Sequence, residues 1–118
     1  MAATVIGAPD AHDLAMFYQR LLGWRTVKDE GDWVMLRSND GAVGLSFQTE
    51  SEYVAPVWPT TDDSQHMMMH LDIGGADLAT VVAWAVECGA TVAEHQPQTD
   101  VRVMLDPVGH PFCLFPMD

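Results

Sequence analysis

Basic residues are scarce in this chain. Lysine and arginine number five against 17 aspartates and glutamates, leaving a formal net charge of −12. Such a balance excludes a nucleic-acid groove, whose phosphates need a basic footprint, and disfavours an anionic membrane surface. It permits a neutral or cationic small molecule. Cysteine is scarce too: Cys88 and Cys113 are the only two. A disulfide-stapled secreted scaffold is therefore excluded, and both are expected as reduced, buried thiols. Apolar residues make up 48% of the chain, yet no apolar run approaches a membrane span. The opening "MAATVIGAPD" lacks the basic start and long apolar stretch of a signal peptide, so a cytoplasmic protein is expected.

What is present is one pattern written twice. In "IGAPDAHDLAMFYQRLLGW", Ile6 precedes Asp10 by four residues and Gly23 closes the segment. In "IGGADLATVVAWAVECGA", Ile73 precedes Asp77 by four and Gly89 plays the closing part. Asp10 and Asp77 suit helix N-caps; Gly23 and Gly89 suit C-caps. Between them Leu14, Phe17, Leu21 and Leu22 form one apolar face, and Leu78, Val81, Val82, Ala85 and Val86 its counterpart. Each helix is followed by a strand bearing VML (34–36 and 103–105), a turn with Gly41 or Gly109, and Phe47 or Phe115 six residues past that glycine. At 118 residues the chain is long enough for one core and too short for two independent domains. Two strand–helix–strand copies predict an α+β fold of two pseudo-symmetric modules. Module one covers about 1–48 and module two about 66–118. Residues 49–65, "TESEYVAPVWPTTDDSQ", form a linker whose large apolar residues are Tyr53 and Trp58. These two either pin the linker to the body or form the aromatic part of a lid.

The stretch "DPVGHPFCLF" at 106–115 places a histidine and a cysteine beside a turn. Asp106, Pro107 and Gly109 suit a type I turn within a β-hairpin. His110 and Cys113 are three apart, so on a strand they face opposite ways and cannot share an ion.

The ordered set "FYQRLLGW", "GLSFQ", "HLDI", "GATV" and "DPVGHPFCL" resembles the vicinal oxygen chelate superfamily, which holds glyoxalase, bleomycin-resistance and extradiol-dioxygenase proteins. The resemblance spans essentially the whole chain and is nearest to small glyoxalase-like members. It implies two βαβββ modules curling their sheets around a shared cavity, and a homodimer. It also implies a divalent metal held by His, Glu or Gln at four symmetry-related strand positions. Counted through the repeat, those positions here are Ala3, Leu45 (Gly44 if the register slips by one), His70 and Cys113. Two lack a donor atom, whereas catalytic sites normally use three protein ligands. No tightly held metal and no other cofactor are therefore expected there, with an atypical divalent ion as the alternative.

His70 and Asp72 share a strand face, which suits an imidazole oriented by a carboxylate and makes them the candidate catalytic pair. The competing reading satisfies Asp72 with backbone amides or Arg102. Cys113 reads as an inert small hydrophobe or as a thiol partner of His70. Trp33, Met35, Phe47, Tyr53, Trp58, Met104, Cys113 and Phe115 are the candidate ligand contacts, since methionine and aromatic side chains adapt to apolar ligands. The same residues also suit an ordinary core. The resulting expectation is a homodimer that binds a small, largely apolar molecule in the cavity between its modules. The alternative is a lyase, isomerase or dioxygenase-type enzyme using His70 with Asp72 or Cys113. A degenerate module serving as a regulatory partner is a third possibility.

Overall fold

The computed structural model describes residues 1–117. Asp118, the last residue of the expected second module, lies outside them. The chain divides into two compact units, Met1–Tyr53 and a second beginning at Val54. The boundary falls inside the 49–65 segment and assigns its larger part to the second unit.

Unit one runs β1 (Thr4–Ala8), α1 (Ala11–Leu22), β2 (Arg25–Asp29), β3 (Trp33–Arg37) and β4 (Gly44–Thr49). Unit two repeats the order with β5 (Leu71–Gly75), α2 (Leu78–Cys88), β6 (Thr91–Val92), β7 (Arg102–Leu105) and β8 (Pro111–Pro116). Each forms a four-stranded mixed sheet, ordered β1-β4-β3-β2 and β5-β8-β7-β6. The β1–β4 and β5–β8 pairs are parallel and the others antiparallel. This is the α+β, twofold βαβββ architecture that the repeat implies.

The caps explain why the helices begin and end where they do. Asp10 accepts a bond from the Asp13 amide at 3.3 Å, and Asp77 one from the Thr80 amide at 3.1 Å, satisfying donors that a helix start leaves free. Gly23 closes α1 at φ 70°, a left-handed conformation that suits glycine. On α1, Leu14 and Phe17 are buried as expected, joined by Ala11, Ala15 and Tyr18. Tyr18 stacks on Phe47 of β4 with ring centroids 5.6 Å apart. Helix α2 buries only Ala85 fully; Leu78, Val81 and Val82 are half-buried and Val86 is exposed. It sits close to its sheet at Gly75, where a Cβ would lie 2.3 Å from Val81 Cγ1.

The hairpin at 106–115 forms as expected. The Asp106 amide donates to the His110 carbonyl at 2.9 Å, and the buried Asp106 carboxylate accepts from the Val108 and His110 amides. Gly109 takes φ 99°.

Strand pairing corrects the sequence-based register. Ile6 pairs with Phe47 and Ile73 with Leu114, so Val5–Ser46 in unit one corresponds to Asp72–Cys113 in unit two. The counterpart of Cys113 is therefore Ser46, not Leu45 or Gly44. The two VML copies are likewise one residue out of step. Val34 pairs with Phe47, whereas Val103 pairs with Cys113 rather than with Leu114. The β3–β4 connection is one residue longer than β7–β8, so counting from the turn glycine carries a slip onto the strand. On a strand, a slip of one residue exchanges the two faces.

Candidate functional site

The site lies within unit two, on the face of its sheet opposite the buried Phe112 and Leu114. Alternation along β5 and β8 points Asp72 and Cys113 the same way, and they are direct partners across the ladder. His70, two residues before Asp72, falls on the same side. Its Nε2 lies 3.2 Å from Asp72 Oδ1. Ligand atoms of His70, Asp72 and Cys113 all lie within 4.8 Å of one another. Arg102 does not take Asp72: it pairs with Leu114, on the other face. The Cys113 thiol has its pKa raised above the ordinary value, first by burial and then by the negative charge of Asp72. Without a cation nearby it is a protonated thiol at neutral pH.

Two cavities meet at this cluster, and His70, Gln98, Val101 and Cys113 belong to both. One, of about 200 Å³, is walled mainly by apolar groups, among them Trp58, Met67, Pro97, Val103 and Pro111. The other, of about 380 Å³, is more polar and is bordered by Asp72, Asp100 and Phe115. Trp58 reaches the first cavity from the 54–65 segment, where the Val57 amide bonds the Gln65 carbonyl at 2.8 Å. Its ring lies 5.5 Å from that of His95.

Of the candidate ligand contacts, the structure thus brings Trp58, Cys113 and Phe115 around these cavities, together with His70 and Asp72. Met104 is a correction: it is fully buried, paired with Phe112 on the opposite face. Phe47 is a second, since it is fully buried against Tyr18 in the core of unit one. Both follow from the one-residue slip. Trp33 and Met35 are half-buried on β3, on the face that α1 does not cover, and Tyr53 is half-buried at the end of unit one.

Sequence reasoning missed the wall formed by Pro97, Gln98, Asp100 and Val101. They sit in the β6–β7 connection, residues 93–101, whereas the equivalent β2–β3 connection is residues 30–32. The signal was available: VML begins eleven residues after Gly23 but fourteen after Gly89. Gln96 shapes this longer loop. Its amide nitrogen donates to the Ala93 and Val103 carbonyls at 2.8 and 2.9 Å, and its oxygen accepts from the Val103 amide at 2.9 Å. The side chain thereby pairs with β7 as a strand backbone would.

The profile of the glyoxalase-like domain matches residues 3–115. The chain belongs to that family. Among curated protein sequences none matches it. Similar solved structures include a glyoxalase/bleomycin resistance protein/dioxygenase family enzyme from Burkholderia phytofirmans PsJN. It is 17% identical, with TM-score 0.71 over 96% of this chain and 94% of that one. A glyoxalase/bleomycin resistance protein from Albidiferax ferrireducens T118 is 18% identical, with TM-score 0.67 over 100% and 98%. The fosfomycin resistance protein FosX from Mesorhizobium loti is 10% identical, with TM-score 0.71 over 100% and 92%. At these identities the likeness is one of fold, and it is consistent with the vicinal oxygen chelate superfamily.

For this glyoxalase-like chain, the metal set implied by the superfamily resemblance does not fit the residues present. Unit one offers Ala3, which has only a methyl group, and Ser46, a buried neutral hydroxyl. Unit two offers His70 and Cys113. Three protein donors are the usual minimum for a catalytic ion.

Proposed function

We propose that this glyoxalase-like protein binds a small, largely apolar molecule, and does so without the metal set usual in the superfamily. The observation that carries this reading is the apolar cavity of about 200 Å³ in unit two, with Trp58 and Met67 in its wall and His70 and Cys113 beside them. Concave, mainly apolar sites with a few convergent polar groups are the common form of a small-molecule site. The volume is below the range of roughly 300–1,000 Å³ typical of drug-sized ligands, so a compact molecule fits best. All three similar folds carry resistance in their names, one of them as a family enzyme, which accords with a small-molecule ligand and leaves binding and turnover both open. The net charge of −12 accords with a neutral or cationic ligand and not with nucleic acid.

Native mass spectrometry of freshly purified protein tests the reading. A retained small molecule is expected, and it is lost on Val101→Trp, which fills the cavity. Wild-type protein that carries no extra mass and shows no saturable binding of indole-sized aromatics overturns it.

The 3.2 Å contact between His70 and Asp72 supports a second reading, a lyase or isomerase in which the imidazole moves a proton. Turnover of a retained ligand that His70→Gln abolishes without loss of binding separates this enzyme from a sequestering protein.

We also propose a homodimer in a reducing, cytoplasmic setting. Trp84, Val86 and Val92 are exposed on unit two, and both cysteines are free. No helix among the described residues is long and apolar enough to cross a membrane. Sedimentation at tens of micromolar is expected to give twice the 13.0 kDa chain mass; a monomer there refutes the assembly.

A further inference from the structure

We propose that His70, Asp72 and Cys113 form a divalent-metal site of the zinc class contained wholly within unit two. The resemblance drawn from the sequence takes donors from both modules; here Asp72 supplies the third ligand that Ala3 and Ser46 do not.

Backbone geometry assembles the three donors. Asp72 and Cys113 are ladder partners and His70 precedes Asp72 by two, so all three project from one sheet face. Donors held at about 2.0–2.3 Å from a tetrahedral zinc ion are about 3.3–3.8 Å apart. His70 Nε2 and Asp72 Oδ1, at 3.2 Å, stand just inside that spacing and need only a small separation to reach it. The whole set lies within 4.8 Å, so side-chain rotation of about 1 Å closes it on an ion.

Two further observations point to a cation. Apart from the His70–Asp72 contact, none of the three is held in another side-chain hydrogen bond or ion pair among the described residues, so they are free to turn onto an ion. The polar cavity beside them carries the carboxylates of Asp72 and Asp100 with no lysine or arginine on its border. Like charges at one cavity repel, and a divalent ion removes that cost. One nitrogen, one carboxylate oxygen and one sulfur suit zinc better than magnesium or calcium, which take oxygen donors. On binding, the Cys113 thiol releases its proton to solvent as the metal–sulfur bond forms. The fourth coordination place opens to the cavities, where water or a ligand oxygen completes the tetrahedron.

This site does not depend on the apolar ligand proposed above, and its test uses the metal alone. The untagged full-length chain, stripped with EDTA, is titrated with Co²⁺. One equivalent is expected, giving tetrahedral visible bands and a near-ultraviolet sulfur-to-cobalt charge-transfer band. Zinc is expected to displace it stoichiometrically. Cys113→Ser is expected to abolish the charge-transfer band, while Cys88→Ser retains it. Asp72→Asn and His70→Gln alter exposed side chains, so their folding is readily confirmed by circular dichroism; each is expected to weaken Co²⁺ binding by at least about tenfold. A wild-type chain that takes up no cobalt overturns the proposal. So does a band that survives Cys113→Ser, or an affinity unchanged by Asp72→Asn.

Discussion

Asp72 and Cys113 stand directly opposite each other across the parallel β5–β8 ladder, and the carboxylate adds to burial in keeping the thiol protonated. Replacing Asp72 by Asn removes the smaller of the two causes. In a Cys88→Ser background, Asp72→Asn is expected to lower the Cys113 titration midpoint part of the way toward the ordinary value, read from thiolate ultraviolet absorbance. The unfolded chain gives up this proton at lower pH than the folded chain. Stability contributed by the protonated thiol is therefore complete below about pH 8.5 and is lost as pH rises through the higher folded value. Urea midpoints of the metal-free chain are expected to fall across that alkaline window, and less steeply in Cys113→Ser.

Trp58 walls the apolar cavity while remaining only half-buried. Trp58→Ala is expected to weaken binding of a ligand identified there by about 1–3 kcal/mol, with little change in melting temperature. The checks are calorimetric titration and thermal denaturation on the same preparation. A collapse in stability with affinity preserved makes the 54–65 segment a structural clasp instead of a lid.

Gln96 holds the 93–101 loop, which supplies Pro97, Gln98 and Val101 to the same cavity. Gln96→Ala removes the partner of the Val103 amide and of the Ala93 carbonyl, while the Val103 carbonyl keeps the Ala93 amide, and a lost part-buried bond of this kind costs about 1–3 kcal/mol. Gln96→Glu is expected to be at least as harmful, because a carboxylate cannot donate to the carbonyls of Ala93 and Val103. Hydrogen exchange at the Val103 amide is expected to accelerate in both variants, and chemical denaturation gives the magnitude.

Gly75 meets Val81 of α2 at the end of β5, with no room for a Cβ at 2.3 Å from the valine methyl. Gly75→Ala is expected to destabilise by about 1–3 kcal/mol through overpacking. Adding Val81→Ala is expected to recover much of that loss, since the clash disappears with the methyl. A double-mutant cycle in urea measures the coupling.

The twofold βαβββ order was legible because it rests on local signals. An N-cap aspartate, an apolar helical face and a closing glycine act within about a dozen residues, and both copies carry all three. The 106–110 turn was legible for the same reason, with Asp106, Pro107 and Gly109 each suited to a position in it. The side chains that share a face were harder to read. Ser46, not Leu45, is the partner of Cys113, and Phe47 and Met104 went into cores, because hairpin loops of unequal length shifted the count by one and strand alternation turned that shift into the wrong face. His70 with Asp72 was visible as a spacing of two, and Cys113 could be named as a thiol partner of His70; that Cys113 stands directly opposite Asp72 was not visible, since it depends on parallel pairing between residues 41 apart in the chain. Sequence by itself therefore determined which elements form and where they stop, through short-range hydrogen bonding and backbone preference. Only the tertiary structure decided which donors meet, because strand register is set by pairing and packing between segments distant in the chain.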